Sequence, residues 1–95
     1  MAIVVETLVP HASKAEAEDF DATVEAAMMQ RGGPPAGLMV HFTHPVGDGF
    51  ALSNIWRSEA EMRHFYDDVI IPLLAAAALA PEESNVSPVW TFARP

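Results

Sequence analysis

The stretch Gly37–Glu61, GLMVHFTHPVGDGFALSNIWRSEAE, decides how this chain folds. Two apolar-rich runs flank Gly47-Asp48-Gly49, and glycine tolerates the positive φ that a tight hairpin turn needs. Gly37–Val46 and Phe50–Arg57 therefore read as paired strands. Ser58-Glu59-Ala60-Glu61 has the spacing of a capping box, in which the serine accepts a backbone N–H and the glutamate reaches back. Met62, Phe65, Tyr66, Val69, Ile70 and Leu73 follow at helical spacing, so a helix leaves the hairpin.

Upstream, Ala2–Val9 is β-branched and stops at Pro10, which reads as a first strand and not a leader peptide. Ser13-Lys14-Ala15-Glu16 is another capping box. Ala17, Phe20, Val24, Ala27 and Met28 form its helical stripe, and Gly32-Gly33-Pro34-Pro35 ends it. Downstream, Pro72 removes a backbone donor and crowds the carbonyl of Asp68, so a break is expected near Ile71. Pro72 would then open a short helix to about Leu79. Pro81–Asn85 reads as a loop and Val86–Ala93 as a last strand, with Pro88 marking an edge or a bulge. The order is β-α-β-β-α-β, an α+β ferredoxin-like arrangement with both helices on one face of a four-stranded antiparallel sheet. At 95 residues it forms a single domain, 1–95.

Both sheet faces are apolar. Strand one carries Ile3, Val5 and Val9 on one side, Val4 and Leu8 on the other. Strand three sets Phe50, Leu52 and Trp56 against Ala51 and Ile55. Helices cover one face. A second copy of the chain is the simplest cover for the other, so a homodimer is expected.

The net charge of −8 opposes binding to nucleic acid or to an anionic membrane. No apolar run is long enough for a transmembrane helix. There is no cysteine, which excludes disulfide and thiolate chemistry and makes the cytoplasm the default location. The acidic residues near the helix starts, Asp21 among them, read as solvated groups that complement helix dipoles.

His41 and His44 lie three apart on one strand, so their rings point to opposite faces and do not share a metal. Pairing the hairpin about Asp48 sets Phe42 opposite Asn54, His41 opposite Ile55 and Val40 opposite Trp56. His41 then falls with Met39 and Thr43 on the smaller, dimer-facing side, where it reads as a buried imidazole or a general base. A one-residue slip swaps these partnerships. Asn54 is the polar residue of an apolar strand, and its buried amide needs a backbone or ligand partner. Trp56 suits core packing or stacking on an aromatic molecule. His64 reads as surface, and Tyr66 as a hydroxyl aimed toward a cleft. No phosphate loop, nucleophile elbow, metal motif or flavin motif is present, and no cofactor is expected.

Trp56-Arg57-Ser58, the capping box and Phe65 together resemble the dimeric α/β-barrel superfamily, in particular its antibiotic-biosynthesis-monooxygenase-like branch. Pro34–His41, continued through Gly47-Asp48-Gly49 to Trp56, resembles small actinobacterial members. The resemblance implies the ferredoxin-like fold, a homodimer and a pocket between sheet and helices. Cofactor-free monooxygenation of a small aromatic or polyketide-like molecule is one implied activity. Asn54, Trp56 and Tyr66 supply the residue types of that pocket, with Phe65 beside them and His41 or Tyr66 for proton transfer. Haem degradation, another activity of the superfamily, is disfavoured: Phe65 and Ala75 stand where that branch has tryptophan and histidine, and strand one lacks its asparagine. Three readings stay open: an enzyme, a non-catalytic binder of a small apolar or aromatic ligand, and a structural homodimer. Fold does not choose among them.

Overall fold

The computed structural model describes residues 1–93, so the last two residues of the expected domain lie outside the described residues. Four strands, β1 (Ile3–Val9), β2 (Leu38–Val46), β3 (Gly49–Trp56) and β4 (Asn85–Pro88), form one sheet in the order β2-β3-β1-β4. Every neighbouring pair is antiparallel. Helix α1 (Lys14–Gln30) joins β1 to β2, and α2 (Glu59–Phe65) follows β3. The element order is the expected β-α-β-β-α-β, an α+β ferredoxin-like fold.

Helix α1 begins as its sequence dictates. Ser13 Oγ accepts from Glu16 N, and the Glu16 carboxylate accepts from Ser13 N. Ala17, Phe20 and Val24 are buried, with Ala27 and Met28 packed beside them. The cap of α2 differs from the expected box. Ser58 Oγ still accepts from Glu61 N, but the Glu61 carboxylate takes Arg57 and the Ser58 hydroxyl in place of a backbone N–H. Arg57 is the nearer and stronger partner because its donors are charged.

Pro72 does not break the helical rod. The chain stays helical as a π turn over Tyr66–Ile70 and continues as α3 (Ile71–Ala76). The Ile71 N–H donates to the Tyr66 carbonyl, five residues back. The wider turn inserts one residue ahead of the proline, whose missing donor then falls in the first turn of α3, where none is needed. It also broadens the buried face to hold Met62, Phe65, Tyr66, Val69 and Ile70 together. Regular α3 stops at Ala76, short of Leu79, where Ala78 adopts a φ of 56°.

The hairpin register is one residue away from the expected one. Val46 faces Gly49, so the loop is the two residues Gly47-Asp48, with Gly47 at φ 57° in the first central position. His41 therefore pairs with Asn54, Phe42 with Ser53 and Val40 with Ile55. Trp56 pairs with Leu38, because a bulge between Leu38 and Val40 absorbs Met39. The slip turns His41 to the helix side and Phe42 to the other, the reverse of the expected assignment. His44 stays on the face opposite His41. Gly49 is required for close approach: a Cβ there would lie 2.0 Å from the Val9 carbonyl oxygen. The hairpin tip is held from the side by Asp48, which accepts from the backbone N–H and ring of His11.

Strand β4 is shorter than expected, ending at Pro88 instead of Ala93. The Val89 N–H still donates to the Ala2 carbonyl, but Trp90 beyond it is 90% exposed. Proline at position 88 cannot donate to the ladder, which fits the strand ending there on the sheet edge.

The core lies between the sheet and the helices. Trp56, Leu52, Leu74, Val5 and Val9 are its largest fully buried apolar side chains. Burial of each contributes about 1.5–3 kcal/mol. The outer face carries Val4, Leu8, Val40 and Ile55 half-buried and Phe42 at 49% exposure. Among the described residues, no helix is long and apolar enough to cross a membrane.

Candidate functional site

Residue β3-54 is the centre of a buried polar run on the helix side of the sheet. Asn54 Oδ1 accepts from Trp56 Nε1 at 2.5 Å, and Asn54 Nδ2 donates to Tyr66 Oη at 3.3 Å. Because the indole nitrogen only donates, it fixes which end of the Asn54 amide is oxygen. Tyr66 Oη, already accepting, is then free to donate to Thr7 Oγ1 at 3.3 Å. Thr7 Oγ1 lies 2.7 Å from Ser84 Oγ at the edge of the site. Each step satisfies a polar atom that burial would otherwise penalise by about 1–3 kcal/mol. Asn54 retains one amide hydrogen beyond these bonds.

The elements place these groups for simple reasons. Asn54 and Trp56 are two apart on one strand and so share a face. Thr7 stands on β1, next but one to Val5, the direct partner of Asn54. Tyr66 opens the π turn and is 6% exposed. Burial pushes its phenol above the ordinary tyrosine pKa, against the opposing effect of the bonds to Thr7 and Asn54. Tyr66 is therefore held as the neutral phenol at neutral pH. Phe65 closes the indole side, its ring 5.7 Å from that of Trp56 at an angle of 44°.

His41 joins this cluster through the register slip. Its Nε2 lies 2.9 Å from Asp21 Oδ1 on α1, with the imidazole side chain 24% exposed. The Asp21 carboxylate accepts from the Nε2–H and so fixes the orientation of the ring. All five residues expected at the site, His41, Asn54, Trp56, Phe65 and Tyr66, line one small cavity of about 10 Å³. That is about the room of one water and too little for an aromatic molecule. Met28 lines the same cavity and, with His41, an open hollow of about 250 Å³ outside it.

Asp21 and Thr7 escape a reading of the sequence alone. Asp21 is one of several acidic residues on α1, and nothing in its spacing separates it from Glu18 or Glu25. Only the facing of β2 selects it. His64 is on the surface near Asp68, as expected.

No protein-family model matches the chain, and no curated protein does. Solved structures do match in fold. SnoaB from Streptomyces nogalater, a cofactor-independent oxygenase, is 20% identical, with 96% of this chain and 94% of that chain covered and a TM-score of 0.66. A Deinococcus radiodurans protein assigned to the antibiotic biosynthesis monooxygenases is 13% identical over 99% of this chain and 97% of its own, with a TM-score of 0.62. The protein YJCS is 14% identical over 94% and 99%, with a TM-score of 0.66. The chain thus has the ferredoxin-like fold of the antibiotic-biosynthesis-monooxygenase-like proteins.

Proposed function

With that fold as the premise, we propose that this chain forms a cytoplasmic homodimer that binds a small aromatic molecule between sheet and helices and oxidises it without a cofactor. One observation carries the reading: an imidazole, a phenol, an amide and two further aromatic rings converge on one cavity at the sheet–helix boundary. Such convergence of polar groups in an apolar setting is what a binding site requires. The cofactor-independent activity of SnoaB, a protein of the same fold, supports the choice of chemistry and leaves it to be tested.

In the proposed reaction the small cavity widens into the adjoining hollow, and Trp56 and Phe65 hold the substrate ring by stacking. His41, oriented by Asp21, removes a proton from a phenol or an activated CH2 group. The substrate anion then reduces O2 directly. One oxygen atom ends as the new C=O, the other leaves as water, and the two hydrogens of the CH2 account for that water. The free amide hydrogen of Asn54 faces the developing negative charge, and the Tyr66 hydroxyl turns to it in exchange for its bond to Thr7. Oxygen uptake by the purified protein with a hydroxyanthrone, together with quinone formation, tests this. His41→Ala should reduce the rate about 10²–10⁴-fold. Uptake equal to that of a boiled control ends the oxygenase reading.

The homodimer draws on the outer sheet face, where Phe42, Val4, Leu8, Val40 and Ile55 remain in contact with water. The absence of cysteine agrees with a reducing compartment. A second reading, a structural dimer with no ligand, is favoured by the 10 Å³ cavity and by the hydrogen bonds that tie Trp56, Asn54 and Tyr66 to one another.

A further inference from the structure

The small cavity and the open hollow beside it share two wall residues, Met28 and His41. The hollow, about 250 Å³, lies between the C-terminal half of α1 and β2, and Gly33 and Pro34 form its rim. Together the two spaces approach the few hundred Å³ of a small-molecule site. His41 is held by Asp21, whereas Met28 is held only by packing. Methionine is unbranched and turns about three bonds, so it is the part of the wall that moves at least cost. Met29, next to it, is already 73% exposed.

The mouth has a definite charge. Asp21, Glu25 and Met28 stand at helical spacing on one face of α1, and two carboxylates therefore border the hollow. No lysine or arginine lines it among the described residues. Arg31, the nearest cation in sequence, instead lies 3.8 Å from Asp68. The remaining ionisable wall group, His41, already faces Asp21.

We infer that the aromatic ligand passes between α1 and β2 by displacing Met28, and that Asp21 and Glu25 select neutral or cationic molecules over anionic ones. The inference rests on the binding site proposed above and adds the route and the charge class of its ligand. It does not depend on turnover. A negative ligand in the hollow meets like charge at short range, and a phenol or an amine does not.

Calorimetric titration with 2-naphthol, 2-naphthoate and 1-naphthylmethylammonium tests it, with the Met28 methyl signal followed by NMR. The neutral and cationic probes should bind about tenfold or more tightly than the anion. Glu25→Lys should bring naphthoate to within about threefold of naphthol, and added salt should narrow the gap in the wild type. Met28→Trp should abolish binding of all three, while Met28→Ala should strengthen it, and the Met28 methyl should shift on titration. Equal binding of the anion, a ratio unmoved by Glu25→Lys, or a silent Met28 methyl overturns the inference, as does a wild type that binds none of the probes. Selective binding without oxygen uptake sustains it and removes the oxygenase reading alone.

Discussion

The Nε2 atom of His41 lies 2.9 Å from Oδ1 of Asp21, tying the middle of β2 to the first half of α1. The pair spans the boundary where sheet and helices meet, with the buried Asn54 side chain beside it. Both members are partly exposed, so the pair itself contributes about 0–1 kcal/mol to stability. Asp21→Asn should therefore leave the urea midpoint nearly unchanged. In the oxidation proposed above it should nonetheless lower the rate about 10–100-fold, the usual cost of losing the group that orients a histidine. A drop in stability without a drop in rate would make the pair a structural tie only.

Asn54 satisfies two buried neighbours at once. Asn54→Ala leaves the Trp56 indole N–H without its acceptor and removes a bond to Tyr66. A loss of about 2–4 kcal/mol is expected from the unsatisfied donor and the space left behind. Trp56→Phe removes the donor itself, so the double variant should be less than additive by about 1 kcal/mol. Strict additivity in urea unfolding would mean that the two side chains are not energetically coupled.

Tyr66 is the single tyrosine, so tyrosinate absorbance reports on it alone. Its folded pKa is raised above the ordinary value of 10.0, mainly by burial. In the unfolded chain the phenol ionises first, so the unfolded state binds fewer protons in alkali. The contribution to stability is thus fully present below about pH 10 and is lost as pH rises from there through the higher folded pKa. Native protein should show phenolate absorbance only above that range, and Tyr66→Phe should flatten the alkaline fall in stability. Titration of the folded protein at or below the ordinary tyrosine pKa would contradict the buried placement.

Phe42 sits on the outer face at 49% exposure. Sedimentation at micromolar concentration should give twice the 10.3 kDa chain mass for the wild type and the single-chain mass for Phe42→Asp. The variant should keep its helix-side core and unfold cooperatively. A wild type that sediments as a monomer removes the homodimer from the proposed function.

Gly49 approaches β1 too closely for any side chain. The atom in the way is backbone, at 2.0 Å, and backbone cannot swing aside. Gly49→Ala should cost about 2 kcal/mol or more and lower the melting temperature by several degrees. Gly32→Ala, where no atom lies within 4 Å but φ is +94°, should cost less, about 1 kcal/mol. A loss at Gly49 no larger than that at Gly32 would show that the contact with β1 is not what requires glycine there.

The sequence by itself determined the order of elements, the ends of α1 and the residue types of the site. Capping serines, glycine pairs and helical stripes act within a few residues, so they are legible one segment at a time. His41 and His44 on opposite faces follow from strand alternation alone. The tertiary structure decided which of those faces is which. A two-residue turn with Gly47 in its first central position, in place of a three-residue one, moved the partners of Val40 to Val46 by one and carried His41 from the outer face to the candidate site. Both faces of β2 mix apolar and polar side chains, so the hydrophobic pattern could not fix the register. Asp21 became a partner of His41 only through that choice, and the π turn before Pro72 formed because packing against the sheet kept the rod helical where local preference favoured a break. Contacts between residues distant in the chain depend on how whole elements are set against each other, and that is fixed only when the core closes.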